Sequence, residues 1–343
     1  MPDDRPPMVS VVLPVRDQAR YVAAAVYSIL NQSYGHLEVL VLDDASIDGS
    51  HRVVQELAAG DPRVCLRRHE EALGVARTCQ EGLRLASGMF VARMDADDIA
   101  HPRRLEQQVA FLRRHPDVAV VGGAVRIIGA EGAVVSQRVS YPETDAAIKQ
   151  VLQRANPLVH PTTLARRHLL LEVGGYRPQL EGAEDLDLWL RVSERYQLAN
   201  LPEVVLDYRI HGGQVSSRRL CHQVLAVSGA RLSASLRQEG RRDIFDDPTT
   251  RINGPWLLAH DFTERELAER LVEYAQWRAR AMAEVGEFGA AGRVWREAVR
   301  VARDILPDRR LRKEFRRAAA NQLKAWGRRA GSGIVRRVRK RKP

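Results

Sequence analysis

Short apolar runs alternate with stretches of helical periodicity through the first part of the chain, and this alternation constrains the fold more than any other feature. Val9-Ser-Val-Val-Leu13 reads as a buried strand. Asp17 can cap a helix running to about Asn31, with Val22, Val26, Ile29 and Leu30 on its apolar stripe. Leu37 to Leu42 is a second strand. The polar turn Asp43 to Ser50 then opens a second helix through Leu57. Arg63 to Arg67 is a third strand, Val75 to Ala86 a third helix, and Met89 to Met94 a fourth strand. Pro102 suits the first turn of the next helix, and Val118 to Gly123 follows as a fifth strand. Strand, helix, strand, helix predicts a mostly parallel sheet flanked by helices, an α/β architecture of Rossmann-like style. Such sheets bind ligands beyond the carboxyl ends of their strands. That rule selects the loops after Leu13, Leu42, Arg67 and Met94. Three of them are acidic, carrying Asp17, then Asp43 and Asp44, then Asp95, Asp97 and Asp98. Helix capping is a sufficient reading of Asp17 and Asp48, but it explains the Asp95 cluster poorly.

Further along, Val125 to Val139 reads as a hairpin around Glu131-Gly132, and a helix is expected from Asp145 to Arg154. His160-Pro-Thr-Thr, a short helix near Arg166 to Val173, and Gly174-Gly175-Tyr176 come next. Glu184-Asp185 opens a helix to Tyr196 that buries Leu186, Leu190 and Val192. Leu198 to Tyr208 reads as two extended pieces split by Pro202. Patterning weakens over 216–255, which is expected to be a linker, and 256–330 looks all-helical. There Thr263-x-x-Glu266 has capping-box spacing, and Leu267, Leu271 and Tyr274 form one stripe. Gly286 to Gly289 breaks the pattern, and Val294, Ala298 and Val301 resume it. Ala281 to Ala298 faintly resembles one tetratricopeptide-type hairpin, but one unit is not an array.

The charge is concentrated at one end. The 343 residues carry a formal net charge of +11. Residues 307–343 hold 15 basic and 2 acidic side chains, which leaves 39 basic and 41 acidic in 1–306. The body is therefore close to neutral, and no specific nucleic-acid binding is expected of it. Arg336 to Lys342 is a polybasic tail interleaved with Trp326 and Ile334-Val335. Lys and Arg residues each contribute about 1 kcal/mol at an anionic membrane surface. No apolar run approaches the roughly 20 residues that span a bilayer. The early run Val9 to Val15 is short and follows Asp3 and Asp4, unlike a secretory signal. The expected location is the cytoplasm, with the tail able to dock on the inner face of the membrane. Cys65, Cys79 and Cys221 lack metal-ligand spacing and fit reduced thiols.

Asp95-Ala96-Asp97 places two carboxylates just past a buried strand, where both can face one divalent cation. Mg²⁺ and Mn²⁺ take oxygen ligands, commonly one or two carboxylates plus substrate phosphates. An EF-hand is excluded because Ile99 and Ala100 stand where a polar ligand and glycine belong. A haloacid-type phosphatase would need its Asp-x-Asp near the first strand, followed by Gly-Thr. Asp44, at the second strand tip, can accept a hydrogen bond from the imino group of a base. Leu13-Pro14-Val15-Arg16 replaces the glycine-rich turn of a dinucleotide fold, and no G-x-x-x-x-G-K-[ST] occurs. Dehydrogenase and P-loop readings fall away.

Taken together, Val-Val-Leu-Pro-Val-Arg (11–16), Val-Leu-Asp-Asp-Ala-Ser (41–46), Leu-Gly-Val-Ala (73–76), Met-Asp-Ala-Asp-Asp (94–98) and Glu-Asp-Leu-Asp-Leu-Trp-Leu-Arg (184–191) resemble glycosyltransferase family 2. The resemblance covers roughly residues 8–215. It implies the GT-A fold and an inverting transfer from a nucleotide diphosphate sugar, with Mn²⁺ or Mg²⁺ as cofactor. It implies that residues 1–98 bind the donor and residues 99–215 the acceptor, ahead of the linker 216–255, the helical region 256–330 and the tail 331–343. Pro14, Val15 and Asp17 would lie against the nucleotide, and Asp44 would read the base. Gly74 would allow close backbone approach, and Arg77 would reach a phosphate. Asp95 would contact ribose, metal or both, and Asp97 would hold the cation. Asp185 matches the general base, and His211 a histidine that completes the metal shell or contacts a phosphate. His160-Pro161-Thr162 would line the sugar pocket. The sequence departs from the family at Ala45, where glycine is usual, and at Gln80, where asparagine is common. Gln276-Trp277-Arg278 does not match the Gln-x-x-Arg-Trp motif of processive synthases, so one sugar per encounter is expected. The acceptor would be a glycan or lipid-linked molecule, in cell-surface polysaccharide or glycolipid assembly. The competing classes are a sugar nucleotidyltransferase, which needs a Gly-rich, Lys-containing first loop, and a nucleic-acid binder acting through the tail.

Overall fold

The computed structural model describes residues 7–212, 220–260 and 262–305, with isolated positions at 309, 310, 313, 317 and 320. The polybasic tail and Trp326 lie outside the described residues. Two compact units divide the chain: Met1–Arg209 with Ala230–Pro248, and Ile210–Gly229 with Thr249–Pro343.

The first unit opens with the expected alternation: β1 (Val9–Val15), α1 (Val22–Leu30), β2 (Leu37–Asp43), α2 (Ser50–Gly60), β3 (Val64–Arg68), α3 (Val75–Leu85) and β4 (Phe90–Arg93). The four strands pair in parallel in the order β3-β2-β1-β4. The strand period of two divides β1 between two layers. Val9, Val11, Leu13 and Val15 join Val22, Ala25, Val26 and Ile29 of α1 in one core cluster. Val12 faces α3 on the other side. There Gly82 lets the helix lie close, since a Cβ at that position would come 2.4 Å from Val12 Cγ1.

Beyond β4 come β5 (Ile99–Ala100), α4 (Arg104–Arg114), β6 (Val118–Ile128), β7 (Val134–Val139), α5 (Asp145–Leu152), β8 (Leu164–Arg166), α6 (Arg167–Glu172), α7 (Glu184–Ser193) and β9 (Gln197–Arg209). β8 runs antiparallel between β4 and β6, β9 runs parallel to β6, and β5 closes the order antiparallel to β9. The sheet expected to be mostly parallel is therefore parallel over its first four strands and mixed beyond them. The hairpin expected around Glu131-Gly132 is β6–β7, with β6 extending five residues past Gly123. The two pieces expected around Pro202 are one strand, β9. Its register against β6 jumps from Gly123↔Leu201 to Ala124↔Val204, so Pro202 falls in the slip, where no ladder donor is required. Pro102 stands in the turn ahead of α4, not in its first turn. Buried Arg104 donates to the Arg93 carbonyl at 2.8 Å, and Gln108 donates to the Thr162 carbonyl at 2.7 Å, which pins α4 beneath the end of β4.

The expected linker 216–255 contains a 19-residue helix, α8 (Leu220–Gln238), whose first part counts with the second unit and whose last part counts with the first. Small residues explain the weak pattern: Ala226, Ser228, Ala230, Ser233 and Ala234 are buried, and serine masks an apolar stripe. The second unit continues with α9 (Gly254–Leu258), α10 (Glu264–Glu284) and α11 (Phe288–Ile305). Thr263 and Glu266 form the capping box at α10: the Thr263 hydroxyl accepts from the Glu266 amide at 3.2 Å, and Glu266 accepts from the Thr263 amide at 2.8 Å. Leu267, Leu271, Ala275 and Met282 are buried on α10, and Val294, Trp295 and Ala298 on α11. Among the described residues no helix is long and apolar enough to cross a membrane.

Candidate active site

The parallel half of the sheet brings the acidic loops to one edge. Val15 pairs with Asp43 in register, so Pro14 and Val15 end β1 beside the tip of β2. Asp17 does not cap α1, which begins at Val22 with no side-chain cap. Its backbone is left-handed at φ +52°, its carboxylate accepts from the Ile47 amide at 2.9 Å, and its amide donates to the Ser46 hydroxyl at 3.1 Å. Asp48 accepts from the Ala19 amide at 2.9 Å and the Ser50 amide at 3.0 Å. These two aspartates lace the β1–α1 and β2–α2 loops together. Ala45 is held at φ +57°, which explains why glycine suits that position: a left-handed L-residue costs about 1–2 kcal/mol.

Asp44 is buried at the β2 tip. One of its oxygens accepts from the Leu73 amide at 2.6 Å and lies 3.1 Å from His69 Nδ1, and the other accepts from the Gly74 amide at 3.0 Å. The opposite ring nitrogen of His69 lies 2.8 Å from Glu81. Asp44 therefore shapes the β3–α3 loop as well as standing at the strand tip. Gly74 adopts φ +91° at the start of α3, and Arg77 is exposed in that helix's first turn. The amides of Val75 and Ala76, next along, donate to Glu181 at 3.0 and 2.8 Å.

After β4, Asp95, Asp97 and Asp98 each offer a carboxylate oxygen, and these atoms lie within 4.8 Å of one another. Arg93 is buried and pairs with Asp95 at 2.7 Å. Asp98 accepts from the Arg209 amide at 2.8 Å, while its other oxygen is buried without a hydrogen-bond partner. Burial and the Asp97 and Asp95 charges push the Asp98 carboxyl well above the usual range. Burial raises Asp95 against the pull of Arg93, and Asp97 adds to the rise. An orphaned carboxylate oxygen among crowded acids is a donor set that fits a hard divalent cation.

α7 presents Glu184 and Asp185. Asp185 accepts from the Leu186 amide at 2.7 Å and from Asn156 Nδ2 at 2.8 Å. Desolvation raises both carboxyls, and the Asp185 charge raises Glu184 further. Arg93 pulls down Asp185 as it does Asp95, so one guanidinium acts on the strand-tip cluster and on the α7 carboxylate together. His160, expected in a sugar pocket, is buried with Nε2 2.8 Å from the Tyr176 hydroxyl and its ring edge-on to Trp189. Burial, with Arg93 nearby, holds it well below the usual histidine range and therefore neutral. His211 is buried and belongs to the second unit. Sequence reasoning did not single out Arg93, His69, Glu81 or Glu181. Arg93 alone carried a signal, as a charge inside an apolar strand.

Comparison with known proteins agrees with this architecture. Residues 10–174 match the family described as Glycosyl transferase family 2. The chain is 34% identical over 210 residues to the putative glycosyltransferase EpsE of Bacillus subtilis, covering 59% of this chain and 73% of that one. It is 31% identical over 228 residues to the O-antigen biosynthesis glycosyltransferase WbnJ of Escherichia coli, covering 63% and 84%. Among solved structures, the mannosyltransferase PcManGT of Pyrobaculum calidifontis, in complex with GDP-Man and Mn²⁺, aligns with a TM-score of 0.55 at 21% identity over 93% of this chain and 88% of that one. S. aureus TarS 1–349 in complex with UDP-GlcNAc aligns with a TM-score of 0.55 at 17% identity, covering 95% and 91%. The chain belongs to glycosyltransferase family 2, and the first unit has the GT-A fold. It is a glycosyltransferase.

Proposed function

We propose that this enzyme transfers one sugar from a nucleoside diphosphate sugar to a hydroxyl of a glycan or lipid-linked acceptor, with inversion and with a bound Mn²⁺ or Mg²⁺. The observation that carries the reading is the Asp95–Asp97–Asp98 cluster with its orphaned buried oxygen at the tip of β4. Residues 1–98 hold the donor. Pro14, Val15 and Asp17 flank the nucleotide, and Asp44 reads the base from a carboxylate already fixed by the β3–α3 loop. Gly74 lies in the donor loop, where its missing side chain makes room for the Glu181 carboxylate, and Arg77 reaches a phosphate. Asp97 would hold the cation, and Asp95 would contact ribose or metal. The cation, when bound, supplies positive charge against the departing diphosphate. Asp185 takes the acceptor hydroxyl's proton, and attack from the face opposite the diphosphate inverts the anomeric centre.

The relatives support a place in surface-polysaccharide assembly, since WbnJ is named for O-antigen and the Erwinia amylovora relative AmsE for amylovoran. Residues 99–215 are the acceptor half. The enzyme works on the cytoplasmic side, and its basic tail docks on an anionic membrane surface. The nucleotidyltransferase alternative predicts pyrophosphate as the product.

A panel of UDP-, GDP- and dTDP-sugars tests the reading. With Mn²⁺, at least one donor is expected to release nucleoside diphosphate, to stop on addition of chelator, and to give a sugar product of inverted anomeric configuration by NMR. Pyrophosphate release, chelator-insensitive turnover or a retained configuration contradicts it.

A further inference from the structure

The segment between α6 and α7 is tied to α3 at two points. Gln80, midway along α3, accepts from the Tyr176 amide at 2.7 Å. Glu181 accepts from the amides of Val75 and Ala76 at 3.0 and 2.8 Å. Helix caps ordinarily come from the residue just ahead of the helix. Here that residue is Gly74, which has no side chain, and the cap arrives from 106 residues along the chain. Four consecutive amides thus divide between two carboxylates, with Leu73 and Gly74 on Asp44 and Val75 and Ala76 on Glu181. The approach is tight, because a Cβ at Gly74 would come 2.9 Å from both Glu181 oxygens. On the far side, Asp185 lies four residues after Glu181. The intervening turn is braced by Glu184, which accepts from the Gly182 amide at 2.6 Å. Further back, Arg177 is paired with Asp243 at 2.8 Å.

We propose that Glu181 is a positioning residue for glycosyl transfer, carrying the placement of the donor loop Leu73–Ala76 to Asp185. The inference rests on the reading of Asp44 as a donor residue and Asp185 as the base. Glu181 has both oxygens engaged by backbone amides of the donor loop, one by Val75 and the other by Ala76. Its carboxylate makes the loop behind the nucleotide and the turn ahead of α7 a single unit, so an ordered donor site and a correctly aimed base coincide. Small misplacements of a catalytic group are expensive: about 1 Å can cost about 100-fold in rate.

The test uses the full chain and two substitutions. Glu181→Ala removes both acceptors. Glu181→Gln keeps the length and one carbonyl oxygen, and so can serve one amide. With whichever sugar nucleotide the enzyme turns over, kcat is expected to fall about 10- to 100-fold in Glu181→Ala and by less in Glu181→Gln. The Kd for the matching nucleoside diphosphate with Mn²⁺ should rise by much less than kcat falls, since Asp44 still holds the Leu73 and Gly74 amides of the donor loop. Hydrogen exchange gives a readout that a merely structural role would not move. In the unsubstituted enzyme, nucleoside diphosphate with Mn²⁺ should slow exchange both at 73–76 and at 182–187, and Glu181→Ala should lose the second effect. Unchanged kcat in both variants overturns the inference. So does an equal loss of affinity and turnover in Glu181→Gln while 182–187 still respond to the nucleotide. Asp185→Asn in the same assay separates the two levels. If it turns over normally, the base reading fails and this inference goes with it; if it is inactive while both Glu181 variants behave normally, this inference alone fails.

Discussion

Asp97→Ala should abolish Mn²⁺-dependent binding of nucleoside diphosphate and reduce sugar transfer by about 1,000-fold or more. The magnitude follows from the several kcal/mol of charge stabilisation that a cation supplies to a departing phosphate, at about 1.4 kcal/mol per factor of ten. Asp97 is the residue to which the proposed function gives the cation, within a cluster whose carboxylate oxygens lie within 4.8 Å of one another. The loss is not expected to come from unfolding. Burial first, and then the Asp97 charge, raise the Asp95 and Asp98 carboxyls, so deleting the Asp97 charge relieves part of that cost in the folded state. Titration calorimetry with UDP, GDP and dTDP, with and without Mn²⁺, measures the effect, and a thermal melt checks the fold. Wild-type affinity for a nucleoside diphosphate in the variant, with the same dependence on Mn²⁺, would assign the cation elsewhere.

Asp185→Asn should leave donor binding within about threefold of the unsubstituted enzyme while transfer falls about 10²- to 10⁴-fold, the usual contribution of a positioned base. The hydrogen bonds support this separation: Asp185 is held by the Leu186 amide and by Asn156, neither of which belongs to the donor loops. The pH dependence adds a second signature. Burial raises the Asp185 carboxyl above the ordinary aspartate range. A base works only when ionised, so kcat should climb as pH rises through that raised value and level off above it. Below it the carboxyl is protonated and idle. The residual activity of Asp185→Asn should lack this limb. A variant that keeps both the rate and the limb would remove Asp185 from the chemistry.

Much of this site was legible because its signals are local. Alternating valines fix which residues of β1 face the core, and the strand-tip rule then selects Asp44, Asp95 and Asp97 from a few residues each. The capping box at Thr263 and the helix start at Glu184 are equally short-range. What escaped depends on long-range contacts. Glu181 meets Val75 across 106 residues, and no spacing in the sequence announces it. His69 reads as an ordinary post-strand residue until Asp44 and Glu81 close on its two nitrogens. Asp17 has the type and position of a helix cap, but the tertiary contact with the Ile47 amide takes its carboxylate instead. The helix α8 was hidden by buried serines, which break an apolar stripe without breaking a helix. β9 looked divided because proline forbids a regular ladder, yet a register slip lets the strand run on.

The most direct test of the account is to locate manganese by its anomalous scattering in crystals grown with a nucleoside diphosphate and Mn²⁺. The account predicts a manganese peak against the Asp97 carboxylate, in contact with the diphosphate, with Asp185 facing the same cleft. A diphosphate held with no cation at Asp97, or a cation whose cleft excludes Asp185, would contradict it.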